Sequence, residues 1–181
     1  MKLKVLIKSL RDFRVFHRWM GLTLAFLLII SAVTGVLLAL KKDVDIIQPP
    51  TQRGMSDNLM EWKSLGEINS IAESALHNAY PEQKENFVDR MDIRPSKGIV
   101  KILFEDGNWE VQVDGKSGEV LSIDKRYSDW IESLHDGSII SDGFKLVSMN
   151  FLGMGLLFLI FTGLWLWYGP RRIRKKKRVK N

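Results

Sequence analysis

The chain has 181 residues, 45% of them hydrophobic, with 27 Lys/Arg, 21 Asp/Glu and no cysteine, which excludes disulfides, thiolate catalysis and cysteine-held metals. The net charge of +6 is unevenly placed. Residues 1–18 hold six Lys/Arg and one acid, residues 169–181 hold eight Lys/Arg and no acid, and residues 41–145 hold thirteen Lys/Arg against twenty acids, a net of about −7.

Residues 1–18 set Leu3, Val5, Leu6, Leu10, Phe13 and Phe16 among basic residues, the pattern of an amphipathic cytoplasmic segment at lipid headgroups. Trp19–Leu40 then passes without a charge. At about 1.5 Å per residue this 22-residue run (19–40) spans roughly 33 Å, enough to cross a bilayer core, and only a helix satisfies its backbone there. It is too long for a signal-peptide core of about 7–15 residues, and no Ala-x-Ala site follows, so it reads as a retained anchor.

Residues 41–126 form the polar domain. Gln48-Pro49-Pro50-Thr51-Gln52-Arg53-Gly54 is a loop that cannot continue a helix. Ser64 and Glu67 form a capping box for a helix over 64–80, with Leu65, Ile68, Ala72, Ala75, Leu76 and Ala79 on one apolar face and Pro81 ending it. Strand patterns follow at Phe87–Ile93, Ile99–Phe104, Trp109–Val113 and Glu119–Ile123, with a hairpin at Asp106-Gly107-Asn108. This predicts one helix packed on a small antiparallel sheet.

Residues 127–145 read as an interfacial segment in which Ser128 caps a short helix, Gly137 stops it, and Tyr127 and Trp130 suit a membrane boundary. Residues 146–169 form a second uncharged span ending in Trp165, Trp167 and Tyr168. Pro170 is expected to break that helix before a basic tail, 170–181. Basic residues at the outer ends of both spans place both termini in the cytoplasm and the middle domain outside. The tail reads as an anchor on anionic lipid rather than a nucleic-acid site. The expected fold class is a membrane α-helical protein of two transmembrane helices with a small extracytoplasmic α+β domain.

The strand Trp-Glu-Val-Gln-Val-Asp (109–114), followed by a turn into Gly118-Glu119-Val120-Leu121, resembles the hairpin of a PepSY domain. Phe16-His17-Arg18-Trp19-Met20-Gly21-Leu22, continuing to Ser31-Ala32-Val33-Thr34-Gly35, is similar to the opening helix of PepSY-associated transmembrane proteins. Leu134-His135-Asp136-Gly137 and Thr162-Gly163-Leu164-Trp165-Leu166-Trp167 resemble the closing segment of their short members. The resemblance covers nearly the whole chain. It implies a bacterial inner-membrane location with the central domain in the periplasm. Larger relatives have four or more spans and include haem-containing reductases of siderophore-bound iron.

Two of the three histidines, His17 and His135, stand at opposite membrane boundaries. Ionisable groups near a bilayer are often functional, and histidine is the usual protein ligand of haem iron. With the resemblance, this points to haem b held by His17 and His135. Gly21 and Gly35 leave room for a porphyrin edge or, equally, for close helix packing. Met20 and Met149 are alternative ligands or packing residues. The bland readings are an interfacial His17 beside Arg18 and a His135 favoured by its helix terminus. His77, beside the apolar stripe of the domain helix, reads as a surface residue.

Each side of the membrane offers one boundary histidine per chain, so a homodimer would supply two axial ligands per side and make a four-helix bundle. Electrons would then pass from a quinone or protein donor toward a ferric substrate. Glu132, Asp136 and Asp142 are candidate acceptors for the second ring N–H of His135, or solvated charges. Ser133 stands two residues from His135, on the wrong face for a nucleophile–base pair, and no phosphate loop or metalloprotease motif is present. The alternative reading is a non-enzymatic anchored module whose sheet edge binds or restrains a periplasmic protein or protease.

Overall fold

The computed structural model describes residues 3–82 and 87–178, so residues 1–2 and 179–181 of the two basic ends lie outside the described residues. The chain divides into two compact units: a domain from Val36 to Glu132, and the long helices with their flanks.

In the domain, helix α2 (Leu65–Ala79) packs on a four-stranded antiparallel sheet ordered β1 (Val88–Arg94), β2 (Ile99–Phe104), β3 (Trp109–Asp114), β4 (Val120–Lys125). The capping box expected of Ser64 and Glu67 is present. Ile68, Ala72 and Leu76 of α2 meet Val100, Ile102, Phe104, Trp109, Val111 and Val113 in the core. Each of the larger side chains contributes on the order of 1.5–3 kcal/mol by burial. Leu65 and Ala79, expected on this face, are exposed because they sit at the ends of α2, beyond the sheet it covers. The turn between β2 and β3 has both Gly107 and Asn108 at positive φ, as a tight hairpin demands.

The other face of the sheet departs from simple alternation. Lys101, Glu110, Gln112 and Asp114 all point away from α2, yet all four are buried. The proline-rich segment read as a loop lies over them as a strap. Gln52 N–H donates to Gln112 Oε1 at 2.8 Å, Gln112 Nε2 donates to Pro50 O at 3.0 Å, and Met55 N–H donates to Asp114 Oδ2 at 2.6 Å. Glu110 accepts from Lys101 Nζ at 2.8 Å, from Gln112 Nε2 at 2.9 Å and from Arg126 Nη1 at 3.0 Å. Burial would raise the Asp114 carboxyl, but the N–H groups of Ser117, Met55 and Lys116 outweigh it and hold it below its ordinary value.

In the second unit, α1 (Leu3–Ala39) runs unbroken through the basic segment and the first apolar run. Helix α3 (Ser128–Asp136) ends at Gly137, whose φ of +83° supplies the left-handed stop. Ser128 is the first helical residue rather than the cap. Its hydroxyl accepts from Arg126 Nε at 3.0 Å and turns toward Asp129.

Helix α4 (Asp142–Arg178) continues through Pro170, against the expected break. Proline there removes one N–H and leaves the Leu166 carbonyl without its usual helical donor. Contacts on either side hold the helix across it: Gly169 packs against Leu10, and Arg171 lies 3.7 Å over the Trp167 ring.

Residues seven apart on α1 meet glycines of α4. Leu10, His17 and Leu24 face Gly169, Gly163 and Gly155 in reverse order, the antiparallel register of a coiled-coil seam. Small residues at these positions let the backbones approach. Away from the seam the helices are bare: Leu22, Phe26, Ile29, Met154, Phe161 and Leu164 are all exposed. Only 11% and 17% of the two most apolar stretches are buried, which separates them from core helices of a soluble protein. The protein is a two-span membrane protein with a small α+β domain.

Candidate functional site

Two histidine–threonine contacts tie α1 to other helices, one to α4 and one to α3. His17 Nδ1 of α1 lies 2.7 Å from Thr162 Oγ1 of α4. In the opposite sense, Thr34 Oγ1 of α1 lies 2.9 Å from Nδ1 of His135, at the end of α3. The Thr34 hydroxyl also donates to Ile30 O at 2.7 Å, and the Thr162 hydroxyl to Phe158 O at 2.9 Å. A glycine follows each threonine. A Cβ at Gly35 would stand 3.4 Å from His135 Cε1, and one at Gly163 would stand 3.6 Å from His17 Cε1. His17 and Thr34 are 17 positions apart on α1, so the two pairs are separated by about 25 Å of helix.

Both histidines are half-buried, whereas His77 is exposed, as expected of a surface residue. The structure brings Met149 to His135: both line a cavity of about 130 Å³ with Phe26, Ile30 and Leu152. Met20 is half-buried on α1, three residues beyond His17. A Cβ at Gly35 would meet His135, whereas a Cβ at Gly21 would meet nothing within 4 Å among the described residues, so no neighbour described requires glycine there.

Near His135, the acceptor at Nδ1 is Thr34 rather than a carboxylate. Asp136 is engaged instead by the Lys145 ammonium and by the Ser138 N–H at 2.9 Å. Burial pushes its carboxyl up, but the hydrogen bonds from Lys145 and Ser138 prevail and hold it at about 2. Beside the other pair, Phe16 packs edge-on against Phe158 with ring centroids 5.0 Å apart. One turn from Thr162, the Trp165 indole Nε1 is buried with no hydrogen-bond partner among the described residues.

A family model for the PepSY-associated TM region matches residues 14–181. The chain belongs to the PepSY-associated transmembrane family. The match takes in both histidine–threonine pairs and the whole soluble domain of this PepSY-associated protein. No curated protein and no solved structure matches it.

The donor set narrows what this PepSY-associated protein can hold. Among the described residues, no three His, Cys, Asp or Glu side chains gather as a bare-ion site. A haem brings four equatorial nitrogens of its own and needs only one or two protein ligands. The residues fit such a group on three counts: a histidine nitrogen at each end that is not used by threonine, open space over Gly21, and the orphaned Trp165 N–H available to an acceptor such as a propionate. The macrocycle does not fit inside one copy, because a ligand of that size needs several hundred Å³ and the cavity at His135 offers about 130 Å³.

Proposed function

We propose that this PepSY-associated protein binds haem b through His17 and His135 as a homodimer and moves electrons across the bacterial inner membrane toward a ferric substrate. The observation that carries the reading is the pair of histidines, His17 of α1 and His135 of α3, each with Nδ1 in hydrogen-bond contact with a threonine of another helix, Thr162 of α4 and Thr34 of α1. Haem supplies a one-electron ferric/ferrous couple. The chain's residues do the rest. Each histidine presents Nε2, while the apolar seam keeps water away. A second copy supplies the partner histidine and the missing wall of a site too large for one chain.

The basic ends favour cytoplasmic termini and a periplasmic domain. An electron would then enter at the His17 level from a quinol or a protein donor and leave at the His135 level, reducing Fe(III) to Fe(II). The test is the reduced-minus-oxidised spectrum of the purified full-length protein. His17→Ala and His135→Ala are each expected to remove about half of the haem signal, and the double variant all of it, with the dimer preserved. Unchanged spectra in both variants would overturn the reading.

One observation favours a second reading, a peptide-binding module anchored by its helices. The soluble domain has a cleft of about 420 Å³ at the β4 edge, lined by Tyr80, Glu82, Trp109, Ile123, Asp124 and Lys125. An extended segment could add to that edge. This version gives a colourless protein that keeps its function when unrelated spans replace both helices.

A further inference from the structure

We infer that Thr34 and Thr162 are positioning residues that lock His135 and His17 in the Nδ1–H tautomer and so reserve Nε2 for iron; this rests on the haem reading above. A threonine hydroxyl has one proton. In both cases the hydroxyl oxygen lies within donating distance of a backbone carbonyl one turn back, at 2.7 Å for Thr34 and 2.9 Å for Thr162. The carbonyl and the ring cannot both receive that one proton, so both contacts are satisfied together only when the ring donates from Nδ1 and the hydroxyl oxygen accepts. A neutral histidine therefore carries its proton on Nδ1 and its lone pair on Nε2. In the other tautomer the hydroxyl would have to turn its proton to Nδ1 and give up its bond to the carbonyl of its own helix.

The surroundings reinforce this. Glycine at 163 and 35 leaves open the space beside each ring, where a Cβ would come to 3.6 Å and 3.4 Å of the ring carbon next to Nδ1. The same Thr-Gly device occurs twice, once per helix and in opposite directions, and meets a histidine both times. Helix adhesion alone does not require this, since such a cross-helix bond adds only about 0.6 kcal/mol and serine or asparagine could supply it. Metal-ligating histidines ordinarily donate their second N–H to an acceptor that sets ring orientation and basicity. Here that acceptor is a neutral hydroxyl already committed to its own helix.

The test uses the full-length protein in lipid nanodiscs with ¹⁵N-labelled histidine, and His77→Gln to remove the third ring. Nitrogen NMR of the haem-free protein reads the tautomers directly. The expected result is protonated Nδ1 and bare Nε2 at both His17 and His135. Thr34→Val, which keeps the shape and removes the acceptor, should turn His135 into a tautomer mixture and leave His17 unchanged. Thr34→Ser should restore the single tautomer. Thr162→Val and Thr162→Ser should do the same for His17. In the haem-loaded protein each valine variant should lose about 10- to 100-fold in affinity at one haem and shift that haem's midpoint potential alone, with serine reversing both. Tautomers indifferent to the valine changes would overturn the inference about the threonines. Tautomers that follow the threonines in a protein that takes up no haem would overturn the role toward iron and the haem reading with it, while leaving the hydrogen-bond assignment standing.

Discussion

The soluble domain and the helix pair treat polar side chains in opposite ways. Behind the sheet, Lys101, Glu110, Gln112 and Asp114 are buried together, and each is hydrogen-bonded; Glu110 alone accepts from three residues. Between α1 and α4, leucine meets glycine at Leu10–Gly169 and Leu24–Gly155, and polar contact comes from His17 with Thr162, while Thr34 of α1 meets His135 of α3. A fully satisfied network rigidifies a fold and has nothing left to offer a ligand. Each seam histidine uses one ring nitrogen on threonine and has a second. Burial of charge is therefore structural in the domain, and the sparse polar pairs of the membrane unit are where chemistry is possible.

That contrast can be broken at its strongest point by Glu110→Ala. The change strands Lys101 as a buried charge and should cost about 3–5 kcal/mol, read as a lower denaturation midpoint of the domain. A loss below about 1 kcal/mol would mean that the network is solvated and not structural. In the helix pair, Gly155→Leu drives a side chain into Leu24 and should cost about 1–3 kcal/mol in thermal unfolding within nanodiscs. Gly153→Leu, two positions away with nothing within 4 Å of its Cβ, should be neutral or slightly stabilising, because leucine is the better helix former. Equal effects at the two glycines would refute the seam register. The smallest effect sharpens the domain side. Ser64→Ala removes a cap whose hydroxyl accepts from Glu67 N–H at 3.3 Å, for a loss of about 1 kcal/mol.

The parts of this fold that a sequence reveals are local. The uncharged runs, the Ser64–Glu67 capping box, the Asp106–Asn108 hairpin and the Gly137 stop each depend on a few neighbouring residues, and each forms as read. Pro170 is a local rule overridden by tertiary and aromatic contacts on both sides of it. The strap over the sheet was illegible because a proline-rich loop carries no sign of what it will cover. His17 and His135 stood out by their positions at the ends of charge-free runs. Their threonine partners lie 145 and 101 residues away in the chain and depend on how α1 meets α4 and α3. One trace was present in the sequence: Thr-Gly occurs at 34–35 and again at 162–163, and Ser148, Gly155, Thr162 and Gly169 recur every seven residues. That spacing marks a small-residue seam, and reading the seam in antiparallel order sets Thr162 opposite His17.

The most direct test of the account is the haem content of the detergent-purified protein from haem-replete cells, measured as the pyridine haemochrome against protein concentration. The account gives a Soret band and about one haem per chain, as expected when each of two sites is completed by two copies. A protein that stays colourless after reconstitution with haem would contradict it and would leave the cleft at the β4 edge as the working site.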